Sequence, residues 1–243
     1  MPMNEYSGES AVAYGQPQDK YYTLFPAIDR VLPQSAEKQS LVDLGCGSGD
    51  LYDFLIKKGY SYTGIDISDD MLQQARMKHP SGIFLQGDAT NLTLEINQNN
   101  DVVLCNMLLP SISTKIAFDG VISTAGSLLS EAGVLIVTAG HPCFDGYMQK
   151  HFFNRENIET TFEGYFQSAA NYKVHRRLEK GNFTFSDFHW TLTDYFQSAK
   201  KAGMQITAID ECPLVGKPPT EVVEKITNKG CPSYIVLSFK KLH

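Results

Sequence analysis

Apolar positions along the chain change period repeatedly, and the changes mark out elements. Ser40–Leu44 is a short apolar run ending at glycines, which reads as a buried strand. Residues 49–58 carry a helical pattern that Gly59 stops, and Ser61–Asp66 reads as a second strand. Ser68 is placed to cap a helix over Asp69–Lys78, which must end before Pro80. Strands follow at Ile83–Gln86, Asp101–Asn106 and Val134–Thr138, with a helix over 114–130 before the last. Upstream, residues 19–32 show a helical pattern that Pro26 interrupts. Runs such as VVLC and VLIVT are apolar without alternation, as strands covered on both faces are.

The cadence changes after residue 140. Residues 141–190 are dense in aromatics, and the runs Tyr172–Leu178 and Phe183–Trp190 flank a turn at 179–182, which predicts a β-hairpin. Strand and helix alternation then resumes: a helix over 191–202, a strand over Met204–Glu211, a short helix near 220–227 and a last strand over Tyr234–Lys240. The expected fold is α/β: a Rossmann-like, seven-stranded, mostly parallel sheet with helices on both faces. An inserted β-hairpin with an aromatic lid follows strand five. The division expected is an N-terminal cap segment and helix (1–39), a Rossmann-like core (40–140), a lid insertion (141–190) and a C-terminal completion of the sheet (191–243).

Composition and charge narrow the partners. Apolar residues make up 42% of 243, enough for a sizeable core, and the net charge is −6. Basic residues cluster only in pairs, such as Lys57-Lys58 and Arg176-Arg177, which argues against a nucleic-acid partner. Five scattered cysteines without a C-x-x-C point to free thiols in a reducing compartment and to no metal site. With no signal-like N-terminus and no long apolar run, a cytoplasmic protein without a membrane partner is expected.

The strongest chemical signal is VDLGCGSGD, residues 42–50, between a strand and a helix. Gly45 and Gly47 permit a tight turn and close approach of a ligand to the backbone. Asp50 stands where the dinucleotide fingerprint G-x-G-x-x-G requires its third glycine, which counts against a nicotinamide cofactor. Asp43, just before the turn, suits a ligand with a positive amino group and would repel a pyrophosphate. Asp66 ends the second strand about 20 residues on, where an acid binds ribose hydroxyls. In QGDAT, residues 86–90, Asp88 and the Ala89 backbone are placed to read an adenine edge. DVVLCNMLLP, residues 101–110, ends the fourth strand near the sheet's switch point.

In order and register, VDLGCGSG, GIDIS with Met71-Leu72, GDA and DVVLCNMLLP resemble class I S-adenosylmethionine-dependent methyltransferases. The late segment HWTLTDYFQSAKKAGMQITAIDECP is similar to the end of small-molecule members of that family. The resemblance implies S-adenosyl-L-methionine as cofactor and S-adenosyl-L-homocysteine as product. It implies that Gly45, Cys46 and Gly47 border the methionine part, with Asp43 near its ammonium, and that Asp66 holds the ribose. Ile67 and Met71 would sandwich the adenine beside Gly87, Asp88 and Ala89. Cys105, Asn106 and Met107 would lie along the sulfonium, and Tyr14 would close over the cofactor.

Methyl transfer needs alignment first, and a base only where the acceptor must lose a proton. The candidates for that base are His141, directly after the fifth strand, and His189 in the hairpin. The aromatics of the insertion would wall a small acceptor, although many must also be the insertion's own core. The expected activity is methyl transfer to an O, N or C atom of a small molecule. An RNA or protein methyltransferase, or a protein that binds the cofactor without methylating, stays open as an alternative. The sequence leaves the oligomeric state undetermined.

Overall fold

The strand Ser40–Leu44 (β1) lies in the middle of the sheet and sets its geometry. The computed structural model describes residues 18–152, 154–178, 181–220 and 230–242. β1 pairs in parallel with Ser61–Asp66 (β2) on one side and Asn100–Asn106 (β4) on the other. Ile83–Gln86 (β3) extends the sheet beyond β2, and Leu129–Gly140 (β5) extends it beyond β4. Tyr234–Lys241 (β10) inserts antiparallel between β5 and Met204–Asp210 (β9). The seven-stranded order is therefore β3-β2-β1-β4-β5-β10-β9, mostly parallel as expected. Chain direction along the sheet reverses between β1 and β4, which opens a crevice at their carboxyl ends.

Alternation along the central strands sorts the core into two layers. Val42, Leu44, Val103, Cys105, Leu135 and Val137 face helices Lys115–Leu128 (α4) and Leu192–Lys201 (α6). On the other face, Leu41, Val102, Leu104 and Ile136 meet helices Leu24–Val31 (α1), Tyr52–Lys57 (α2) and Asp69–Lys78 (α3). The cap of α3 is the expected one, with Ser68 Oγ accepting from the Met71 amide at 3.3 Å. The helix expected over 19–32 divides into a 3-10 turn at Gln18–Tyr22 and α1. Pro26 sits in the first turn of α1, where its missing N–H leaves no bond unmade.

Between β5 and α6 the chain builds a separate three-stranded antiparallel sheet. The expected hairpin is Ala170–Leu178 (β7) with Gly181–His189 (β8), joined through Glu179 and Lys180, which lie outside the described residues. Ile158–Thr160 (β6) adds to the free edge of β7, and Gly146–His151 (α5) precedes it. Neither β6 nor α5 is legible as a periodic run. Three residues are too short to show an alternation, and α5 is one and a half turns. Ile158, Phe162 and Tyr172 form a small core under this sheet, with Tyr147 packed on it.

Trp190 leaves the lid at the end of β8 and enters the main core. It is 2% exposed, its ring centroid is 4.6 Å from that of Phe118, and its indole N–H donates to the Ile112 carbonyl at 3.1 Å. Thr191 follows at once and caps α6 through a capping box with Asp194. Trp190 thus ties the lid's exit to the segment after β4. Trp190→Phe should keep the fold but leave a buried carbonyl without its donor, a cost of about 1–3 kcal/mol. Urea unfolding should show a lower midpoint at an unchanged m value; an unchanged midpoint would remove the tie.

Candidate functional site

The crevice at the ends of β1, β2 and β4 deepens into a cavity of about 340 Å3. Its floor is the loop after β1. Gly45 and Gly47 take φ of +74° and +53°, the left-handed region that side chains resist, so the chain turns sharply into the start of α2. The Gly45 and Cys46 amides donate to the Ile65 carbonyl at 2.7 and 3.0 Å, which staples this loop to β2. The Gly47 amide donates to Asp66 Oδ2 at 2.8 Å, and the Ser68 amide donates to Asp66 Oδ1 at 2.9 Å. The Ile67 amide is a third backbone donor to this carboxylate, whose roughly four acceptor sites are thus not all taken. Burial pushes the Asp66 carboxyl above its ordinary value, and the backbone donors pull against that shift.

Asp43 is the more unusual group. It is 2% exposed at the end of β1, and Tyr62 donates its phenol to Oδ2 at 2.8 Å. Oδ1 is buried with no hydrogen-bond partner among the described residues. Burial pushes this carboxyl up to about 7; the Tyr62 bond lowers it, and the charges of Asp66 and Asp50 raise it further. A buried carboxylate with one oxygen unpaired is costly in a finished core.

Twelve of the fourteen cofactor candidates line this cavity: Asp43, Gly45, Cys46, Gly47, Asp66, Ile67, Met71, Gly87, Asp88, Ala89, Asn106 and Met107. Asp88 spends Oδ1 on the Thr90 amide and hydroxyl, at 2.8 and 2.7 Å, which fixes the turn that presents it. Asn106 and Met107 are held by Thr138, whose hydroxyl donates to Asn106 Oδ1 at 2.8 Å and accepts from the Met107 amide at 3.0 Å. Met107 takes a φ of +57°, a strained corner for a side chain at the very end of β4. Cys105 does not reach the cavity. It is fully buried among the α4-side core residues, and burial pushes its thiol well up. Tyr14 lies outside the described residues, as does nearly all of the helix expected near 220–227.

Several lining residues carried no motif. Lys20, Tyr21 and Phe25 come from the start of the described chain, and Ser111 and Ile112 follow β4 just past the motif that contains Leu108. Ser186 and Phe188 come from β8. The alternating face of β8 was readable, but which face meets the main body depends on how the insertion folds back.

The two histidines lie elsewhere. Neither His141 nor His189 is among the residues that line the cavity. His189 is buried, with Nδ1 2.7 Å from Asp145 Oδ2 and Nε2 donating to the Tyr165 carbonyl at 2.6 Å. Burial works against charge on this ring, but the Asp145 carboxylate and the carbonyl on the other nitrogen hold it above its ordinary value. Phe162 stacks on it at 5.3 Å. His141 accepts from the Cys143 amide through Nδ1 at 3.3 Å, which leaves Nε2 to donate to Glu211 at 3.0 Å. Nor do the insertion's aromatics wall the cavity as a group. Phe162 and Tyr172 are the insertion's own core, and Phe188 is the aromatic that β8 contributes to the cavity.

Comparison with known proteins agrees with this layout. The family model described as a methyltransferase domain matches residues 41–133, which hold β1 to β4 and the glycine loop. YqeM of Bacillus subtilis (strain 168) is 36% identical over 115 residues, which are 45% of this chain and 44% of that protein. N-demethylindolmycin N-methyltransferase of Streptomyces griseus is 21% identical over 220 residues, covering 89% of this chain and 90% of that one. The chain thus spans less than half the length of the first relative and most of the second. Among solved structures, an S-adenosylmethionine-dependent methyltransferase from Clostridium acetobutylicum ATCC 824 superposes with a TM-score of 0.65 at 17% identity. That match covers 96% of this chain and 94% of that one. In the described residues no helix is long and apolar enough to cross a membrane. The chain is built on the fold of the class I S-adenosylmethionine-dependent methyltransferases.

Proposed function

We propose that this chain transfers a methyl group from S-adenosylmethionine to a small molecule, with a neutral amine as the acceptor its cavity suits best. The observation that carries the cofactor half is the unpaired, buried Oδ1 of Asp43 in a cavity lined also by Asp50, Asp66 and Asp88. A ligand bearing an ammonium and a sulfonium fits such a wall, whereas a pyrophosphate would be repelled. Asp66 keeps acceptor capacity for a ribose hydroxyl, and its backbone donors hold it in place for that. Met71 and Ile67 supply the apolar faces for a planar base, with Asp88 at its edge.

Once bound, S-adenosylmethionine supplies a methyl group on an activated leaving group, so the chain's task is alignment and exclusion of water. The Asn106–Met107 corner, pinned by Thr138, is the rigid edge against which that alignment is made. Leu108, Ser111, Ile112, Ser186 and Phe188 line the same cavity, and these five bring two hydroxyls and no carboxylate, imidazole or amine. An acceptor that brings its own free lone pair needs no base from such a wall. The Streptomyces griseus relative is named as an N-methyltransferase, and it supports the same reading. On this account His141 and His189 hold the lid and the end of β5 in position.

Asp66→Asn should weaken S-adenosylmethionine binding by about 1–3 kcal/mol, through loss of charged hydrogen bonds. Calorimetry on the folded variant reads this, with NAD as the comparison ligand for the wild-type chain. Unchanged affinity would remove Asp66 from the ribose site, and preference for NAD would end the proposal. Phe188→Ala should reduce kcat/KM for the acceptor about ten- to a hundredfold, as expected for loss of a buried aromatic face, and leave cofactor affinity within about threefold. Equal loss of both would place Phe188 in the cofactor site instead. The acceptor itself is tested by offering methyl-labelled cofactor with amines, phenols, carboxylates, RNA and protein. Labelled amines are expected, and label confined to RNA or protein would replace this reading.

A further inference from the structure

Tyr62 does not line the cavity, yet its phenol donates to the carboxylate that forms part of the wall and also interacts with the Cys46 thiol beside it. The side chain is 4% exposed, and its hydroxyl donates to Asp43 Oδ2 at 2.8 Å. Its ring is fixed edge-on against Tyr52 and Phe84, with centroids 5.3 and 5.9 Å away. A phenol donates one hydrogen bond, so a ring held at this angle selects one carboxylate oxygen and leaves the other. The oxygen left is Oδ1, buried and unpartnered. From the surrounding elements Asp43 meets the charges of Asp66 and Asp50, while the Cys46 and Cys105 thiols sense its own. Lys20 lines the same cavity, and Lys78 is engaged by Ser48 and Asp50.

We propose that Tyr62 is a positioning residue for the cofactor's ammonium group, orienting Asp43 so that Oδ1 takes this cation and releases a proton to solvent as it does so. The inference rests on the S-adenosylmethionine reading above. Burial, reinforced by Asp66 and Asp50 and opposed by Tyr62, holds the free chain's Asp43 up to about 7, so near neutrality part of the population carries a proton there. A cation at Oδ1 favours the carboxylate, so binding strengthens as pH rises through this range. The ligand's own α-amino group titrates near about 8 and sets the alkaline limit. Removing the Tyr62 hydroxyl removes the interaction that lowers Asp43, which moves the acidic limb to higher pH.

The test is calorimetry of the full chain with S-adenosylmethionine between pH 6 and 7.5, in two buffers of different ionisation enthalpy. Wild type should release a fraction of a proton at pH 6.5. S-adenosylhomocysteine, which keeps the amino group and lacks the sulfonium, should release a similar fraction. Tyr62→Phe should bind about three- to tenfold more weakly at pH 7, as one hydrogen bond to a charged group implies, with its acidic limb shifted upward. Asp43→Asn should bind weakly and release no proton. Absence of proton release by wild type overturns the proposal whether or not the variants fold. So does a Tyr62→Phe protein with wild-type affinity and limb, and release with S-adenosylmethionine alone would assign Asp43 to the sulfonium instead. A wild-type chain that binds neither ligand would overturn the functional reading itself.

Discussion

A carboxylate buried at the end of the sheet's central strand is the constraint around which the rest of the site is arranged. Asp43 points to the side of β1 that packs against α1, α2 and α3, where its neighbours are apolar and aromatic. Holding a charge there costs free energy that a leucine would not. The fold meets half of that demand with the Tyr62 phenol and leaves the other half unmet. The rest of the crevice opens space beside Asp43, which lines it. The left-handed glycines turn the backbone aside, Asp66 clamps the turn from β2, and the switch between β1 and β4 parts the strand ends.

The lid obeys a different logic. Among the described residues its core is Ile158, Phe162 and Tyr172, and anchors also tie it to the main body. His189 and Asp145 form a buried pair that joins the end of β8 to the segment after β5. Trp190 then carries the chain into the α4-side core and grips the carbonyl of Ile112, itself a cavity residue. Ser186 and Phe188 are brought to the cavity by these anchors. The insertion's aromatic density is thus mostly the means of holding the lid, with Phe188 as its contribution to the wall.

The core was legible because its signals are local. β1, β2, α3 and β3 fall where period and caps put them: apolar runs bounded by glycines, Ser68 before a helix, Pro80 after it. Among the cofactor candidates, Asp43, Gly45, Gly47, Asp66 and Asp88 were readable from their place at or just after strand ends, which sequence order specifies once the sheet is parallel, while Ile67 and Met71 came from the family resemblance. The contribution of β8 to the cavity was not legible in the same way. Alternation in β8 puts Ser186 and Phe188 on one face and Phe185 and His189 on the other, but aromatics occupy both faces. Only the docking of the insertion, set by contacts distant in sequence, decides which face meets the cavity. For the same reason His141 and His189 drew attention as bases, while their bonds to Glu211 and to Asp145 and Tyr165 show how both rings are engaged. Cys105 sits in the motif that ends β4 yet faces the α4-side core, whereas Asn106 and Met107, at and just past the end of the strand, line the crevice.

A crystal structure of the chain with S-adenosylhomocysteine tests the central claim most directly. The account predicts the ligand in the cavity before the glycine loop, its amino group within hydrogen-bonding distance of Asp43 Oδ1 and its ribose diol on Asp66. A ligand bound elsewhere, or Asp43 Oδ1 facing no positive group in that complex, would contradict it.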